Sequence, residues 1–369
     1  MIQLIDRLRE WISAPSLAGC GGLIALALLA SCSAASAPAP TLQPALEPIR
    51  PAAIPPPGST NAAEPAPTVA APGADLPGRL LLVQNGNLWL WQGASGRQLT
   101  HSGDAFQPAW SPDAAQVAFV RRAVSGSDIM LLRALDAVPE QITSNTPDPS
   151  VYSYDRIYQS RWAFYPAWSP DATTLAFASQ FGPPGGSPAA EYRMSLYTVP
   201  AAGGRAAQAY GNAEAQVGRP AYTPDGASIV FALAPVGEEP PSLYRYHIAT
   251  DRAEPLPGAL QQSYDPAFSA DGRWLAFAAR AGAGTDIFVM PADGGTATQI
   301  THLGNARAPA FAPDGSALAF LAVPGGSTSF DLWVAGLQAD APGTLKAGEP
   351  RQITHDMHLD ADSGVAWGR

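Results

Sequence analysis

Short hydrophobic runs separated by turn residues recur along the chain from about residue 79 to its end. Five of these runs carry a phenylalanine at the fourth position, and they span residues 116–120, 174–178, 228–232, 274–278 and 317–321. Runs of this length, bounded by Gly, Pro, Asp and Ser, are typical of β-strands. The hydrophobic pattern therefore predicts an all-β domain.

A second pattern precedes each run. The sequence Pro-Ala-Trp-Ser-Pro-Asp at residues 108–113 returns unchanged at 166–171, and variants of it occupy 220–226, 266–272 and 309–315. Ser-Pro-Asp-Gly favours a tight turn, because Pro presets φ, Asp accepts backbone N–H bonds and Gly adopts positive φ. Ala114 and Ala172 replace that Gly in the first two repeats. Those two turns are expected to be of another type, or strained by about 1 kcal/mol.

Further strands complete each repeat. A third is predicted at 128–132, 195–199, 242–246, 286–290 and 331–334, and Gln-Ile-Thr predicts a fourth at 141–143, 299–301 and 352–354. Four strands in a unit of about 40 to 60 residues are typical of a propeller blade. Residues 79–100 supply three strands without a first, and residues 364–369 supply a first strand alone. We therefore predict a six-bladed β-propeller over residues 79–369, closed by pairing of its N- and C-terminal strands.

The N-terminus has the pattern of an export signal. Arg7 and Arg9 precede an apolar run, and Leu-Ala-Ser-Cys at 29–32 resembles a bacterial lipobox. This predicts a lipoprotein signal peptide at 1–31 and lipidation of Cys32. Cys20 also ends a lipobox-like sequence, but no apolar run precedes it. A plain secretory signal, or a short membrane anchor with an unmodified cysteine, is an open alternative, and each of these places the remaining chain outside the cytoplasmic membrane.

Residues 32–78 are rich in Ala and Pro and show no hydrophobic periodicity. Prolines favour extended polyproline II segments, so we predict a disordered, semi-stiff tether. Fully stretched, it would hold the propeller ~100 Å from the membrane.

Charge and cysteine content narrow the function. The net charge is -10 and Lys346 is the single lysine, so there is no basic cluster for nucleic acid. Cys20 and Cys32 are the only cysteines, so the propeller has no disulfide, thiol nucleophile or cysteine-ligated zinc. We expect no nucleic-acid partner and no cofactor.

The Pro-Ala-aromatic turn unit, the Phe-containing strand, Asp-Ile-Phe-Val-Met at 286–290 and Gln-Ile-Thr together resemble the WD40-like repeat of TolB-type β-propellers. The resemblance covers residues 79–369 and implies a propeller lipoprotein. TolB itself carries a small α/β domain before its propeller, where this sequence has the tether. Related repeats also precede prolyl oligopeptidase-like hydrolase domains, but this sequence has no Gly-x-Ser-x-Gly elbow.

Candidate binding residues lie in the long link between the first two whole blades. Tight turns occupy one face of the predicted propeller, so the variable loops lie on the opposite face, where function is expected. Tyr, Trp and Arg dominate binding hot spots, and the link offers Tyr152, Tyr154, Arg156, Tyr158, Arg161 and Trp162. The alternative is that the insertion folds over its own blade and buries these aromatic rings.

A weaker candidate is a metal site in the link before the C-terminal strand. It contains His355, His358, Asp360 and Asp362, which are residue types that bind zinc or calcium. Their spacing matches no defined motif, and His355 follows Gln-Ile-Thr as a repeat feature. A solvated acidic loop is the favoured interpretation. The repeated aromatic residue is expected to pack between blades and the repeated Asp to cap its turn.

The sequence therefore predicts a non-enzymatic, membrane-anchored propeller outside the cytoplasm, periplasmic or on the cell surface. It would bind or scaffold a protein, peptide or glycan of the cell envelope. The alternatives are a channel-mouth enzyme, such as a metal-assisted hydrolase or lyase, and a TolB-like accessory of an envelope complex.

Overall fold

The computed structural model describes residues 76–93, 95–146, 156–186, 191, 193–211, 215–235, 240–323, 325, 327–341 and 344–369. The predicted signal peptide, Cys32, Tyr152 and Tyr154 lie outside these residues, as does most of the predicted tether. The described part is built almost entirely of strands, with one short helix, α1 (Arg156–Gln159). Within it, no helix has the length and apolar character needed to cross a membrane.

The strands follow one another as antiparallel neighbours. In chain order they are β1 (Arg79–Gln84), β2 (Asn87–Gln92), β3 (Ser95–Gln98), β4 (Ala105–Trp110), β5 (Val117–Arg122), β6 (Ser127–Leu132), β7 (Glu140–Gln141), β8 (Ala163–Trp168), β9 (Thr174–Gln180), β10 (Met194–Pro200), β11 (Ala207–Tyr210), β12 (Ala215–Tyr222), β13 (Ser228–Pro235), β14 (Ser242–His247), β15 (Arg252–Pro255), β16 (Ser263–Phe268), β17 (Trp274–Ala281), β18 (Gly284–Pro291), β19 (Thr298–Gln299), β20 (Arg307–Phe311), β21 (Ala317–Ala322), β22 (Asp331–Ala341), β23 (Thr344–Ala347), β24 (Arg351–Gln352) and β25 (Ala366–Gly368).

These strands form an all-β propeller made of five hydrogen-bonded sheets. Three are four-stranded, one is five-stranded and includes β23, and one runs through the eight strands from β8 to β15. The predicted all-β propeller is confirmed, but the prediction of six blades is wrong, because the strands form five sheets. A parallel bridge between Met194 and Gln216 joins β10 to β12, so two successive repeats share one sheet.

The predicted closure is confirmed. Strand β25 pairs antiparallel with β1, with Leu80 opposite Trp367 and Leu81 opposite Ala366. The Trp367 indole Nε1 also donates to the carbonyl of Pro77 at 2.6 Å. The first and last parts of the propeller are thus held in one sheet, which leaves no free edge at this junction.

The core lies between successive repeats. Six clusters of buried apolar side chains in the described residues each combine side chains from two neighbouring repeats. One cluster joins Leu80 and Leu82 at the start to Leu332 near the end. Fully buried phenylalanines of the second strands are among the largest core side chains, namely Phe177, Phe231, Phe277 and Phe320.

The repeated aspartates cap their turns, as predicted. Asp113 accepts hydrogen bonds from the Ser111 hydroxyl at 2.5 Å and from the Ala115 amide at 3.0 Å. These bonds hold the pKa of the Asp113 carboxyl below its ordinary value. All these turns lie on one face of the propeller, called here the turn face. The opposite face carries α1 and the link from residue 353 to residue 365, and is called the link face.

The turns of the first two repeats keep the conformation of the others and are strained. Ala114 and Ala172 have φ of 54° and 58°, close to the 71° of Gly226 at the equivalent position. An Ala in this left-handed region costs about 1 kcal/mol relative to Gly.

Ala172→Gly is accordingly expected to raise the free energy of unfolding by about 0.5 kcal/mol, since the lost methyl contact offsets part of the relieved strain. The reverse change, Gly226→Ala, is expected to lower it by about 1 kcal/mol. Urea titrations of the purified protein measure both changes. Equal midpoints for the two variants would contradict the strained-turn account.

Candidate functional site

A β-bulge interrupts the innermost strand of five repeats directly before the repeated proline. In β4, for example, the pairing with β5 shifts between Phe106 and Ala109. The same shift occurs in β8, β12, β16 and β20. A bulge re-aims the side chain of its extra residue. The residues at this position are Gln107, Tyr165, Arg219, Asp265 and Ala308.

These bulges direct polar side chains toward the propeller axis, where they meet Asp362 of the last link. The Gln107 side-chain amide donates to Asp362 Oδ2 at 2.8 Å, and the Tyr165 hydroxyl donates to Oδ1 at 2.6 Å. Arg219 donates to the backbone carbonyl of Asp362 at 2.6 Å. Side chains that are distant in sequence thus form one network. With Asp265 and two further arginines, this network is called here the axial cluster. It consists of Gln107, Arg122, Tyr165, Arg219, Asp265, Arg307 and Asp362.

Asp265 is the buried anion of the axial cluster. Its carboxylate is 3.3 Å from Arg219 Nε and 3.1 Å from Arg307 Nε, and its side chain is only 5% exposed. Burial alone would raise the pKa of Asp265, but the guanidinium groups of Arg307 and Arg219 hold it below its ordinary value. The carboxylate is therefore ionised and doubly paired.

Tyr165 is a hydrogen-bond donor in this network. Burial raises the pKa of its phenol far above the ordinary value, and the carboxylate of Asp362 raises it further. Its ring also lies under the Arg219 guanidinium, 4.6 Å from the ring centroid. The phenol is therefore neutral at physiological pH and cannot act as a base.

Two guanidinium groups approach Asp362 at longer range. Arg122 Nη2 is 3.4 Å from Oδ2 and Arg307 Nη2 is 4.0 Å from Oδ1. Arg122 stacks on the ring of Phe106 at 3.9 Å and its side chain is 32% exposed. Three arginines and two aspartates leave one net positive charge in the axial cluster, against -10 for the whole chain. The cluster is a local positive site that solvent reaches.

The predicted metal ligands are not brought together. Asp362 lies in the axial cluster, while Asp360 accepts from the Ser363 amide at 2.6 Å. His355 and His358 are exposed on the link. No group of three or more His, Cys, Asp or Glu side chains in the described residues could hold a metal ion.

The described part of the predicted binding segment packs partly on its own blade. The Trp162 ring stacks on Phe164 with centroids 5.7 Å apart, and the Tyr158 hydroxyl donates to the carbonyl of Gly186 at 3.0 Å. The Phe164 ring is 6.0 Å from that of Tyr165, so this segment continues into the axial cluster. Ile157 is 41% exposed on α1. Arg156 and Arg161 are half-buried beside these aromatic residues.

A chain of three polar side chains crosses β13, β14 and β15. His247 Nδ1 is 3.2 Å from Ser228 Oγ, and His247 Nε2 is 3.1 Å from Glu254 Oε1. Ser, His and Glu are arranged in the order of the nucleophile, general base and orienting carboxylate of a catalytic triad. The Ser228 amide is already bonded to the Thr223 hydroxyl, so it cannot serve as an oxyanion donor. We regard this chain as a cross-strand surface contact.

The sequence alone did not indicate the axial cluster. Gln107, Tyr165, Arg219 and Asp265 share no chemistry, so they form no motif. The available signal was their position. Within the Pro-Ala-aromatic unit the proline and alanine are fixed, whereas the residue just before the proline changes from repeat to repeat.

The chain is similar to known proteins in sequence and in fold. The family model described as the TolB β-propeller domain matches residues 157–335. The uncharacterized peptidase YuxL of Bacillus subtilis (strain 168) is 32% identical over 89 residues, which are 23% of this chain and 14% of that protein. This chain thus matches only about a seventh of that relative's length.

Solved structures extend the likeness to the whole propeller. TolB from Acinetobacter baumannii has a TM-score of 0.57 at 19% identity, covering 80% of this chain and 68% of that one. A chain of the nidogen/laminin complex has a TM-score of 0.54 at 11% identity, covering 78% of this chain and 97% of that one. At these identities the structural likeness shows the fold alone.

Proposed function

Because the chain carries a TolB-type β-propeller domain, we propose that it is a binding or scaffolding module for a protein partner. The binding site is the link face, comprising the axial cluster and the adjoining segment 156–165. The nidogen/laminin complex, one chain of which shares this fold, is an assembly of proteins, which supports a protein partner for this architecture.

The observation that carries this proposal is the chemistry of the bulge position. The innermost strand has the same backbone course in each repeat, and its repeated aromatic side chains pack in or against the core. The bulge residues instead vary among an amide, a phenol, a guanidinium and a carboxylate. Rigid strands that present different polar groups at one opening of the propeller are suited to binding a partner.

An enzymatic role at the channel mouth is not favoured by the axial cluster. General acid–base catalysis needs a group whose pKa lies near the working pH. Asp265 is instead held ionised by two arginines, and the Tyr165 phenol is held neutral. An accessory role in an envelope complex, which is one of the alternatives predicted from the sequence, agrees with the binding function.

We also propose that Cys32 is lipidated and that residues 32–78 tether the propeller in the cell envelope, outside the cytoplasmic membrane. The lipobox at 29–32 and the cysteine-free remainder of the chain support this. Cys32→Ala is expected to move the protein from the detergent phase to the aqueous phase in detergent partitioning, because the acyl chains supply the membrane affinity. Cys20→Ala is the matched control and should leave the partition unchanged. Equal partition of the two variants would overturn the assignment.

The binding function is tested by in-cell photo-crosslinking at two isoleucines of matched exposure. Ile157, 41% exposed, lies on the link face. Ile248, 43% exposed, lies on the turn face, where its amide donates to the carbonyl of Ala227. A photoreactive residue at 157 is expected to give discrete protein adducts at least fivefold more abundant than one at 248.

A second change links the adducts to the axial cluster. Arg122→Gln removes the most exposed guanidinium of the cluster and is expected to reduce adducts at position 157 at least threefold. Equal adduct yields at the two isoleucines, or yields at 157 that ignore Arg122→Gln, would refute binding at the link face.

A further inference from the structure

The Asp362 carboxylate is surrounded by donors from four strands that belong to three repeats. Gln107, Arg122, Tyr165 and Arg307 surround it, at 2.8, 3.4, 2.6 and 4.0 Å. These four side chains come from β4, β5, β8 and β20, and are called here the cradle. Asp362 itself is carried by the link between β24 and β25.

The cradle has the donor chemistry of a carboxylate receptor. Guanidinium groups pair with carboxylates by charge-assisted hydrogen bonds, and a phenol O–H and an amide N–H add neutral donors. Asp265 carries a single negative charge against the two arginines that it pairs with. Without Asp362 the axial cluster would hold three guanidinium groups and one carboxylate, so the cradle requires an anion.

The link that supplies this anion is strained at two residues, and the side chain of Asp362 on it reaches solvent. Asp356 and His358 adopt left-handed φ of 54° and 51°, a conformation that costs non-glycine residues about 1 kcal/mol each. The Asp362 side chain is 27% exposed and that of Arg122 is 32% exposed. An external group can therefore reach the cradle from the link face.

We propose that the cradle is a carboxylate receptor that Asp362 fills in this conformation and that takes a carboxylate of a protein partner when the Asp362 side chain turns out of it. Asp362 acts as an internal ligand, and the partner's group replaces it in the same hydrogen bonds. The group is an acidic side chain or a chain terminus. That the carboxylate comes from a protein partner rests on the proposed function. That the cradle binds a carboxylate rests on the cradle residues alone.

The test uses the purified full chain and three fluorescent Gly/Ala pentapeptides. One has a free C-terminal carboxylate, one has a single Glu and an amidated end, and one has Gln in place of that Glu. Asp362→Ala is expected to bind at least one of the two carboxylate peptides at least tenfold more tightly than the Gln peptide in fluorescence anisotropy. The tighter of these two identifies the source of the carboxylate.

Two further variants show whether the cradle is responsible. Asp356→Ala removes a carboxylate from the same link outside the cradle, and is expected to bind the three peptides alike, as wild type does. Adding Arg122→Gln to Asp362→Ala is expected to weaken carboxylate binding at least fivefold. Equal binding of the three peptides to Asp362→Ala would overturn the proposal.

Small carboxylates provide an independent readout. The melting temperature of Asp362→Ala is expected to be about 2 °C higher in acetate than in chloride at equal ionic strength, because a ligand stabilises the folded state that binds it. Asp356→Ala should show no such difference, and an equal melting temperature in both salts for Asp362→Ala counts against the cradle.

If Asp362→Ala does not fold, Asp362→Asn keeps the side-chain shape and removes the competing charge. It is expected to bind one of the carboxylate peptides at least threefold more tightly than wild type, and equal binding would again overturn the proposal. If position 157 gives no adducts but Asp362→Ala still discriminates among the peptides, the proposed protein-binding function is refuted and carboxylate binding by the cradle is not.

Discussion

Asp265→Ala is expected to lower the free energy of unfolding by about 3–5 kcal/mol, the typical cost of removing one partner from a buried ion pair. The substitution leaves the guanidinium groups of Arg219 and Arg307 without their shared carboxylate, at side-chain exposures of 19% and 25%. The backbone itself accepts alanine, because Ala308 occupies the equivalent bulge with the same φ of 54°. The loss therefore reports the removal of the shared carboxylate, which also accepts a hydrogen bond from the buried Ala308 amide at 3.2 Å.

Urea unfolding followed by tryptophan fluorescence measures this change. Asp293→Ala is the matched control, because it removes an ion-pair partner of Arg245 whose own side chain is 97% exposed. Exposed ion pairs contribute little, so its effect should be several times smaller. A loss below about 1 kcal/mol for Asp265→Ala would show that the axial ion pairs are not needed for the fold.

The repeated scaffold was predictable from the sequence because each of its parts is local. The Phe-containing runs, the Asp-capped turns and the closing strand are each marked by a few adjacent residues, and the structure contains all of them. The turn chemistry was also local. Only the choice between a new turn type and a strained one at Ala114 and Ala172 required the φ values.

The division into sheets was not predictable, because it depends on distances between repeats. A short connection separates Tyr210 at the end of β11 from Ala215 at the start of β12. Gln216 of β12 pairs in parallel with Met194 of β10, which merges two repeats into one sheet. The strand predicted at 331–334 likewise continues to Ala341, because β23 folds back on it.

The candidate site was hidden for a different reason. Asp265 and Arg219 belong to different repeats, and Asp362 joins them from a link that no repeat contains. Their association follows from closure of the ring, which converts equal positions in successive repeats into neighbours around one axis. Asp362 was predictable only as a weak metal ligand, because Arg122 and Tyr165, which contact its carboxylate, lie 240 and 197 residues away in sequence.

Asp331→Ala is expected to lower the free energy of unfolding by about 3 kcal/mol and to loosen the link that carries Asp362. Asp331 is fully buried, and it accepts hydrogen bonds from the Thr354 hydroxyl at 2.9 Å and the Met357 amide at 3.1 Å. It thereby fixes the start of the link. Removing it leaves buried donors without an acceptor, each at a cost of about 1–3 kcal/mol.

Asp286→Ala supplies the matched control, because Asp286 makes the same contacts one repeat earlier, with the Thr301 hydroxyl at 2.7 Å and the Leu303 amide at 2.8 Å. Both variants should lose similar stability, but only Asp331→Ala should speed amide hydrogen exchange of residues 355–363, by at least tenfold. Equal exchange in this segment for the two variants would mean that Asp331 does not position the link. Faster exchange confined to Asp331→Ala would mean that an Asp of the third strand, which is a repeat feature of the scaffold, also holds the Asp362 carboxylate in its cradle.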